Sequence, residues 1–300
     1  MEKKELEEKI KRFREARKAV ILAHNYQSPE VQDIADFVGD SLELSRKAAA
    51  SDAEIIVFCG VHFMAETAAI LAPEKTVLLP DVRAGCPMAD MITADELRAW
   101  KNRYPGRKVV GYVNTSAAVK AECDICCTSS NAVAVVNSLG GEEILFVPDR
   151  NLAAYAARFT AARIIAWDGF CYVHDRIRVE DVREKKTLHP GAEVWAHPEC
   201  RPAVIDVADK ALSTGKMIAE AGRSGRREFI VATEPGIIYR LKKENPEKDF
   251  YPASDQVCTN MKKIDLAKVL RSLEDNTHLI KVPADVAEKA RGAIEKMIRI

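Results

Sequence analysis

The chain has 300 residues, of which 47% are apolar, so it can bury two or three cores without disulfide support. Its 45 basic and 45 acidic residues give a formal net charge of zero, which gives no support for a nucleic-acid partner or an anionic membrane surface. The N-terminal segment lacks the apolar region of a secretory signal, and no run reaches the ~18 apolar residues that cross a bilayer. We therefore expect a cytoplasmic protein whose eight cysteines are free, metal-bound or catalytic.

Short apolar runs rich in valine and isoleucine alternate with amphipathic segments along the whole chain. In chain order the runs are AVILAH, EIIVF, TVLL, KVVGYV, EILFV, RIIAW, EVWAH and EFIVA. Amphipathic segments such as FMAETAAILA and NLAAYAARFT lie between them. This alternation is typical of βα units with buried parallel strands, and it predicts an α/β fold.

The order of these features repeats with a period of about 86 residues. Cys86, Cys171 and Cys258 each lie in a loop after a strand, and they are 85 and 87 residues apart. The polar strand ends AHNY, GYVN and AHPE keep the same period, as do the hydroxyl-rich turns GDS, CTSS and LSTG. The repeat predicts three homologous α/β/α domains, each of which ends at its cysteine.

The last 42 residues fall outside the third repeat and read as a helix, a strand (HLIKV) and a helix, so we expect them to close back onto the first domain. Ligands of open α/β sheets bind beyond the carboxyl ends of the strands. A triangular, pseudo-threefold arrangement would bring the three sets of polar strand ends to one central site. The predicted domains are residues 1–86 with 259–300, residues 87–171 and residues 172–258.

Three cysteines that meet on one axis would bind a soft metal. Zinc is one possibility, but a structural zinc site usually has four protein ligands. A four-iron cluster that only carries electrons also takes four cysteines, whereas three leave one iron open to act as a Lewis acid. The matched spacing favours a metal centre at Cys86, Cys171 and Cys258 over three inert loop cysteines.

The other cysteines are weaker candidates. Cys123, Cys126 and Cys127 form CDICC, and a Cys-x-x-Cys pair can be redox-active or bind metal. Their segment corresponds to apolar strands in the other repeats, which favours small core residues. Cys59 ends an apolar strand and is expected in the core, and Cys200 has no counterpart in the other repeats.

Hydroxyl and polar side chains mark a binding site. Hydroxyls at helix starts cap free N–H groups, and the same helix ends attract anions, so three of them suit a ligand with several carboxylate or phosphate groups. Walker and G-x-G-x-x-G sequences are absent, so no nucleotide is indicated. The candidates are Ser41, Ser129, Ser213 and Thr214 at helix starts, and His24, Tyr26, Tyr112, Asn114, His174, His197 and Glu199 near strand ends.

Together these segments resemble the quinolinate synthase family, the A proteins of bacterial and archaeal NAD biosynthesis. The resemblance covers nearly the whole chain and implies a triangular three-domain enzyme with an oxygen-sensitive [4Fe–4S] cluster on Cys86, Cys171 and Cys258. It also implies condensation of iminoaspartate with dihydroxyacetone phosphate to quinolinate, with loss of phosphate and two waters, and a functional partner that makes iminoaspartate. The motifs are ILAHNYQ, VQDIADFVGDSLELSRKA, FMAET, GCPMAD, YVNTSAAVKAECD, TSSNA, PDRNLAAY, CYVH, HPEC, STGKM and CTNMKK.

The resemblance also implies roles for individual residues. Tyr26, Glu199 and His197 become candidates for proton transfer, and His174 becomes a partner beside the cluster. The implied substrate-binding residues are His24, Ser41, Tyr112, Asn114, Ser129, His197, Glu199, Ser213 and Thr214.

Two features depart from the family pattern. Phe170 stands where relatives commonly carry histidine, so a polar role there is not expected. Cys258 stands alone where some bacterial members have a Cys-x-x-Cys, so a redox switch of that kind is not expected. An iron–sulfur electron carrier, which predicts four ligands and no anion-binding helix starts, and a zinc-bound solute-binding module are the alternative interpretations.

Overall fold

Three four-stranded sheets form the framework of the computed structural model, which describes residues 2–141 and 143–300. Every strand pair in them is parallel, which confirms the predicted α/β class. In each sheet the four strands lie in the order second, first, third, fourth along the chain. The common order supports the predicted repeat, whereas the triangular arrangement and the domain boundaries stay predictions.

The first sheet is built around its two central strands, whose carboxyl-terminal halves are buried on both faces. Val- and Ile-rich sequence suits such strands because branched side chains pack well on a pleated surface. The elements are α1 (Lys3–Ala16), β1 (Ala19–His24), α2 (Pro29–Ile34), β2 (Phe37–Gly39), α3 (Ser41–Ala50), β3 (Ile55–Cys59), α4 (His62–Leu71) and β4 (Thr76–Leu78).

The second sheet repeats this pattern, and its strand β6 contains the buried Cys126 and Cys127 as core residues. Cys59 is likewise fully buried, and all eight cysteines are free thiols. The elements are α5 (Ala94–Arg103), β5 (Lys108–Tyr112), α6 (Ala117–Lys120), β6 (Ile125–Cys127), α7 (Ala132–Ser138), β7 (Glu143–Val147), α8 (Arg150–Ala157) and β8 (Arg163–Ala166).

The third sheet follows a short helix that begins directly after Cys171. Its elements are α9 (Tyr172–Asp175), α10 (Val179–Leu188), β9 (Glu193–Ala196), α11 (Pro202–Asp206), β10 (Lys210–Ala211), α12 (Thr214–Arg223), β11 (Glu228–Ala232), α13 (Ile237–Glu244) and β12 (Asp249–Pro252). No helix in the described ranges is long and apolar enough to cross a membrane.

An aspartate holds the amino-terminal end of each sheet in the same way. It lies just before the second strand, and its carboxylate accepts the backbone N–H of a residue in the first strand. The pairs are Asp36 with Ile21 at 2.8 Å, Asp124 with Val109 at 2.8 Å, and Asp209 with Val194 at 2.7 Å. The repeat therefore extends to side-chain hydrogen bonds that apolar patterning does not reveal.

The C-terminal segment departs from the prediction in two ways. Helix α14 (Leu266–Asp275) packs against α1, but α15 (Ala284–Arg299) packs against α6 and β6 of the second sheet as well as α4 of the first. The predicted strand HLIKV is wrong, because only an isolated antiparallel bridge joins Leu279 to Leu78. Its neighbour β4 is three residues long, and this leaves little edge to pair with.

Gly169 lies where the Cys171 loop touches the segment that follows β7. Its N–H donates to the Pro148 carbonyl at 3.0 Å, and its carbonyl accepts from the Arg150 N–H at 2.9 Å. A Cβ atom at Gly169 would lie 2.5 Å from the Pro148 carbonyl oxygen. The close approach of two backbones therefore requires glycine here.

We predict that Gly169→Ala lowers the free energy of unfolding by about 1–3 kcal/mol, because backbone atoms must move to admit the new methyl group. Gly222→Ala is the matched control: a Cβ there has no neighbour within 4 Å, and alanine in a helix should add about 0.5–1 kcal/mol. Urea unfolding of both metal-free variants checks this, and equal midpoints would contradict the close approach.

Candidate active site

A buried cavity lies beyond the carboxyl ends of the strands and is lined by residues from all three sheets. His24 and Tyr112 are the last residues of β1 and β5, and His197 directly follows β9, so the first strand of each sheet delivers one ring. Of the predicted site residues, all but Ser213 line it: His24, Tyr26, Ser41, Cys86, Tyr112, Asn114, Ser129, Cys171, His174, His197, Glu199, Thr214 and Cys258. Their roles stay predictions.

The three cysteines that line the cavity share a local structure. Each is followed by one short helical turn, closed by a hydrogen bond from the N–H of the fourth residue onward to the cysteine carbonyl, at 3.3, 2.8 and 3.3 Å in chain order. The N–H of the third residue onward points at the sulfur and favours the thiolate in all three. The chain thus presents three sulfurs in equivalent turns.

The electrostatics of these sulfurs suit a cation. Burial raises the pKa of Cys86 to about 12 and raises the pKa values of Cys171 and Cys258. Negative charge on Cys86 and Cys258 raises the pKa of Cys171 further, so the three sulfurs lie close enough to repel one another as thiolates. A bound metal reverses this preference, because coordination favours the thiolate. Three free thiols with N–H donors therefore fit a metal centre.

A chain of short polar contacts runs beside the cysteines. The Tyr26 hydroxyl lies 2.6 Å from Thr233 Oγ1, which lies 2.8 Å from His174 Nε2. The other ring nitrogen of His174 is 2.8 Å from Glu199 Oε2, and His197 Nδ1 is 3.2 Å from the same oxygen. The chain links a phenol, a hydroxyl, two imidazoles and a carboxylate, all buried.

The two ends of this chain differ in protonation. Burial, followed by the charge of Glu199, raises the pKa of Tyr26 well above its usual value, so the phenol keeps its proton. Burial alone would raise the pKa of Glu199, but His174 and His197 outweigh it and hold the pKa low. Glu199 Oε1 has no hydrogen-bond partner among the described residues. The site therefore holds a potential acid and a potential base at once.

Thr233 is the member of this chain that sequence reasoning missed. It directly follows β11, whereas the predicted polar groups follow the first strand of each sheet or lie in the cysteine loops. The corresponding positions of the first two sheets are Gly60 and Pro148, so the repeat carries no polar pattern there. Its place at the carboxyl end of a buried strand was the available indication.

Three helix starts near the cavity are joined by hydrogen bonds between an aspartate and two serine hydroxyls. Asp40 caps α3 by accepting the N–H groups of Leu42 and Glu43 on Oδ1, and its Oδ2 accepts the Ser130 hydroxyl at 2.6 Å. The Ser130 and Ser213 oxygens are 2.6 Å apart. Because Ser130 gives its proton to the carboxylate, Ser213 must donate to Ser130. The Ser213 hydroxyl is therefore engaged with Ser130, and Ser213 does not line the cavity, while its role in binding ligand stays a prediction.

Two further residues noted in the sequence lie outside the cavity lining. Cys200 is fully buried, and its thiol donates to the Ala232 carbonyl at 3.4 Å. Phe170, which departs from the family pattern, packs its ring under the Arg150 guanidinium, with 4.5 Å between the guanidinium carbon and the ring centroid. Neither position contributes a side chain to the cavity.

The chain is thus a three-sheet α/β protein: its parallel strand ends surround one cavity, and a thiol lies near the end of each repeat. The chain belongs to the family described as quinolinate synthetase A protein, whose model matches residues 8–299. The family identified from the sequence motifs is therefore confirmed.

Curated relatives match nearly the whole chain. The chain is 58% identical over 293 residues to the quinolinate synthase of Dehalococcoides mccartyi. The matched segment covers 97% of this chain and 97% of the relative. It is 57% identical over 296 residues to the quinolinate synthase of Methanoregula boonei, covering 98% of each. The enzyme of that name from Thermodesulfovibrio yellowstonii is 52% identical over 295 residues, or 98% of this chain and 97% of the relative.

We predict that Ser213→Ala lowers the free energy of unfolding by about 0.5–2 kcal/mol, because α12 loses its cap and Ser130 loses a donor. Ser129→Ala, one residue from Ser130 but facing the cavity, should stay within about 0.5 kcal/mol of the parent protein. Chemical unfolding of the metal-free proteins measures both. Equal losses would contradict the direction assigned to the hydroxyl chain.

Proposed function

We propose that this chain is a quinolinate synthase that condenses iminoaspartate with dihydroxyacetone phosphate and releases phosphate and two waters. Membership of the family and the names of relatives that are 52–58% identical support this activity. The observation that carries it is that three equivalent thiols line the same cavity as Tyr26 and Glu199, the two ends of the chain of polar contacts.

A [4Fe–4S] cluster is the cofactor we propose, with Cys86, Cys171 and Cys258 as its ligands. The donor set supports it, because all three thiols are free and each sulfur faces a backbone N–H donor. When bound, a cluster with three protein ligands supplies one open iron that acts as a Lewis acid towards a substrate oxygen.

The chain's own residues supply the proton transfers. Loss of water next to a carbonyl requires a base that takes a proton from carbon and an acid that protonates the departing hydroxyl. Glu199, charged and with one free oxygen, suits the base, and Tyr26, which keeps its proton, suits the acid. Thr233 and His174 connect the two, so a proton taken by Glu199 has a route back to Tyr26.

The helix starts suit the anionic groups of the proposed substrates, which carry carboxylate and phosphate. Ser41 and Thr214 are the first residues of α3 and α12, and both line the cavity. Ser129 lies there too, next to the Tyr112 hydroxyl. Burial lowers the pKa of His24 to about 4, so this ring is a neutral donor rather than a cation at pH 7. Anions are thus bound by hydrogen bonds and helix ends.

A zinc-bound solute-binding module is the second candidate. Ligand atoms of Cys171, His174 and Glu199 lie within 4.8 Å of one another and could hold a metal ion. The 2.8 Å contact between His174 and Glu199 also fits a shared proton, which needs no metal. This candidate leaves Cys86 and Cys258 without a role, so we rank it second.

We predict that protein purified without oxygen is brown and contains about four irons and four sulfides per chain. Alanine at Cys86, Cys171 or Cys258 should abolish the cluster, because the remaining two thiols cannot hold it. Cys123→Ala, which removes a thiol that donates to the Val119 carbonyl, should retain it. Iron, zinc and sulfide analysis decides: zinc without sulfide, or a full cluster in Cys171→Ala, would refute the assignment.

We predict that Glu199→Gln keeps the fold and the cluster but loses roughly 10²–10⁴-fold in turnover, the usual range for a missing acid–base group. The amide preserves the shape of the side chain and removes the base. Turnover is measured together with the absorption of the cluster and its change on adding substrate. If the variant turns over at near the parent rate with its cluster intact, Glu199 is not the base.

A further inference from the structure

Glu234 is a fully buried carboxylate that lies two residues beyond the end of β11. Its Oε2 accepts the N–H of Gly236 at 2.7 Å, next to the start of α13. Its Oε1 accepts the backbone N–H of Cys258 at 3.3 Å. The Lys262 ammonium lies 3.1 Å from Oε1, so the buried charge is paired. A carboxylate that served only the helix would not need the second oxygen to face Cys258.

Lys262 extends this contact to the other end of the Cys258 turn. Its own N–H donates to the Cys258 carbonyl at 3.3 Å, and its ammonium also bonds to the Tyr26 carbonyl. Glu234 therefore holds the turn at its first N–H and, through Lys262, at its last residue. The same pair joins the turn to the loop that carries Tyr26.

The segment before Cys258 has little else to hold it. Within the described chain, residues 254–257 donate no N–H to a backbone carbonyl. The last such bond before the turn is from Ala253 to Val231, at 3.0 Å. Glu234 thus links the third sheet to the Cys258 turn, while the Tyr172 hydroxyl of α9 accepts the Thr259 N–H of the same turn at 3.1 Å.

The second sheet places a carboxylate at the equivalent position. Asp149 also lies two residues beyond the third strand of its sheet, is fully buried, and precedes Glu234 by 85 residues. It caps α8 by accepting the N–H groups of Asn151 and Leu152 at 2.7 and 2.9 Å. Burial raises the pKa of Asp149 well above its usual value, and the nearby backbone N–H of Cys171 opposes this rise, while Oδ2 has no hydrogen-bond partner among the described residues.

The first sheet has no carboxylate at the equivalent position. Val61 occupies the position, and the N–H of His62 bonds instead to the Ala84 carbonyl at 2.8 Å. The fold itself therefore does not require an acid there. The carboxylates occur in the two sheets where the position faces the backbone N–H of a cysteine.

We propose that Glu234, together with Lys262, is a positioning residue that fixes the turn carrying Cys258 and so presents its sulfur to the metal centre. This inference rests on the proposed role of Cys258 as a ligand. Groups that orient a metal ligand without touching the metal commonly change metal affinity about 10–100-fold when they are replaced. Glu234 has the contacts for such a role and does not line the cavity.

The test compares Glu234→Gln with the parent protein, both purified without oxygen. The amide keeps the size of the side chain but loses the charge that holds Lys262. We expect iron to pass to a chelator about 10–100-fold faster. In metal-free protein, we expect iodoacetamide to modify Cys258 faster relative to Cys86 of the same chain, as measured by mass spectrometry.

Glu193→Gln is the matched control, since Glu193 also pairs with a lysine, Lys210 at 3.2 Å, but lies at the start of β9 at the opposite end of the same sheet. It should behave as the parent protein. Lys262→Gln, at a partly exposed position, should shift both measurements in the same direction as Glu234→Gln and serves if that variant does not fold.

The outcomes separate this inference from the proposed function. A parent protein without iron and sulfide would overturn the proposed cluster, while the ratio of Cys258 to Cys86 modification still tests whether Glu234 holds the turn. Parent-like iron release with an unchanged ratio in Glu234→Gln would overturn the positioning role. The same acceleration in Glu193→Gln would overturn it too, because it would indicate general loosening of the sheet.

Discussion

Parallel pairing within each sheet is the constraint on which the rest of the molecule depends. Strands that all run one way end at one edge, so whatever follows them is gathered there. The strands are buried, and their interiors are therefore restricted to apolar side chains such as those of β3. Polar groups are left to the last residue of a strand, as with His24, or to the position after it, as with His197 and Thr233. The position of the cavity therefore follows from the shared direction of the strands.

Buried charge is the second constraint, and three buried carboxylates meet it with polar partners. Asp40 is paired with N–H groups and a hydroxyl, Glu234 with N–H groups and Lys262, and Glu199 with two imidazoles. An unpaired buried charge would be far more costly than any of these. Glu199 differs in that it lines the cavity and keeps one oxygen free, which leaves it available for a reaction.

The sequence predicted the fold class and the family because strand composition and the repeat are patterns in the order of the residues. They are visible without knowing which side chains are in contact. The same patterns led to a cavity lined by nearly all the chosen residues. They could not give the direction of a hydrogen bond, and so they did not reveal that the Ser213 hydroxyl donates to Ser130. They also missed Thr233 and Glu234, whose counterparts in the first sheet are Gly60 and Val61. Side-chain contacts across the chain are set by packing, not by spacing.

The cysteines and the candidates for proton transfer are distributed differently over the three repeats. Each repeat contributes one cysteine in an equivalent turn, so binding a metal at all three would join the three sheets and add its free energy to folding. The groups suited to proton transfer come instead from two sheets, with Tyr26 after β1 and His174, Glu199 and Thr233 in or beside the third. In the proposed function, equivalent positions that are alike would hold the metal, and equivalent positions that differ would carry the acid and the base. A symmetric scaffold can therefore act on a substrate that has no symmetry.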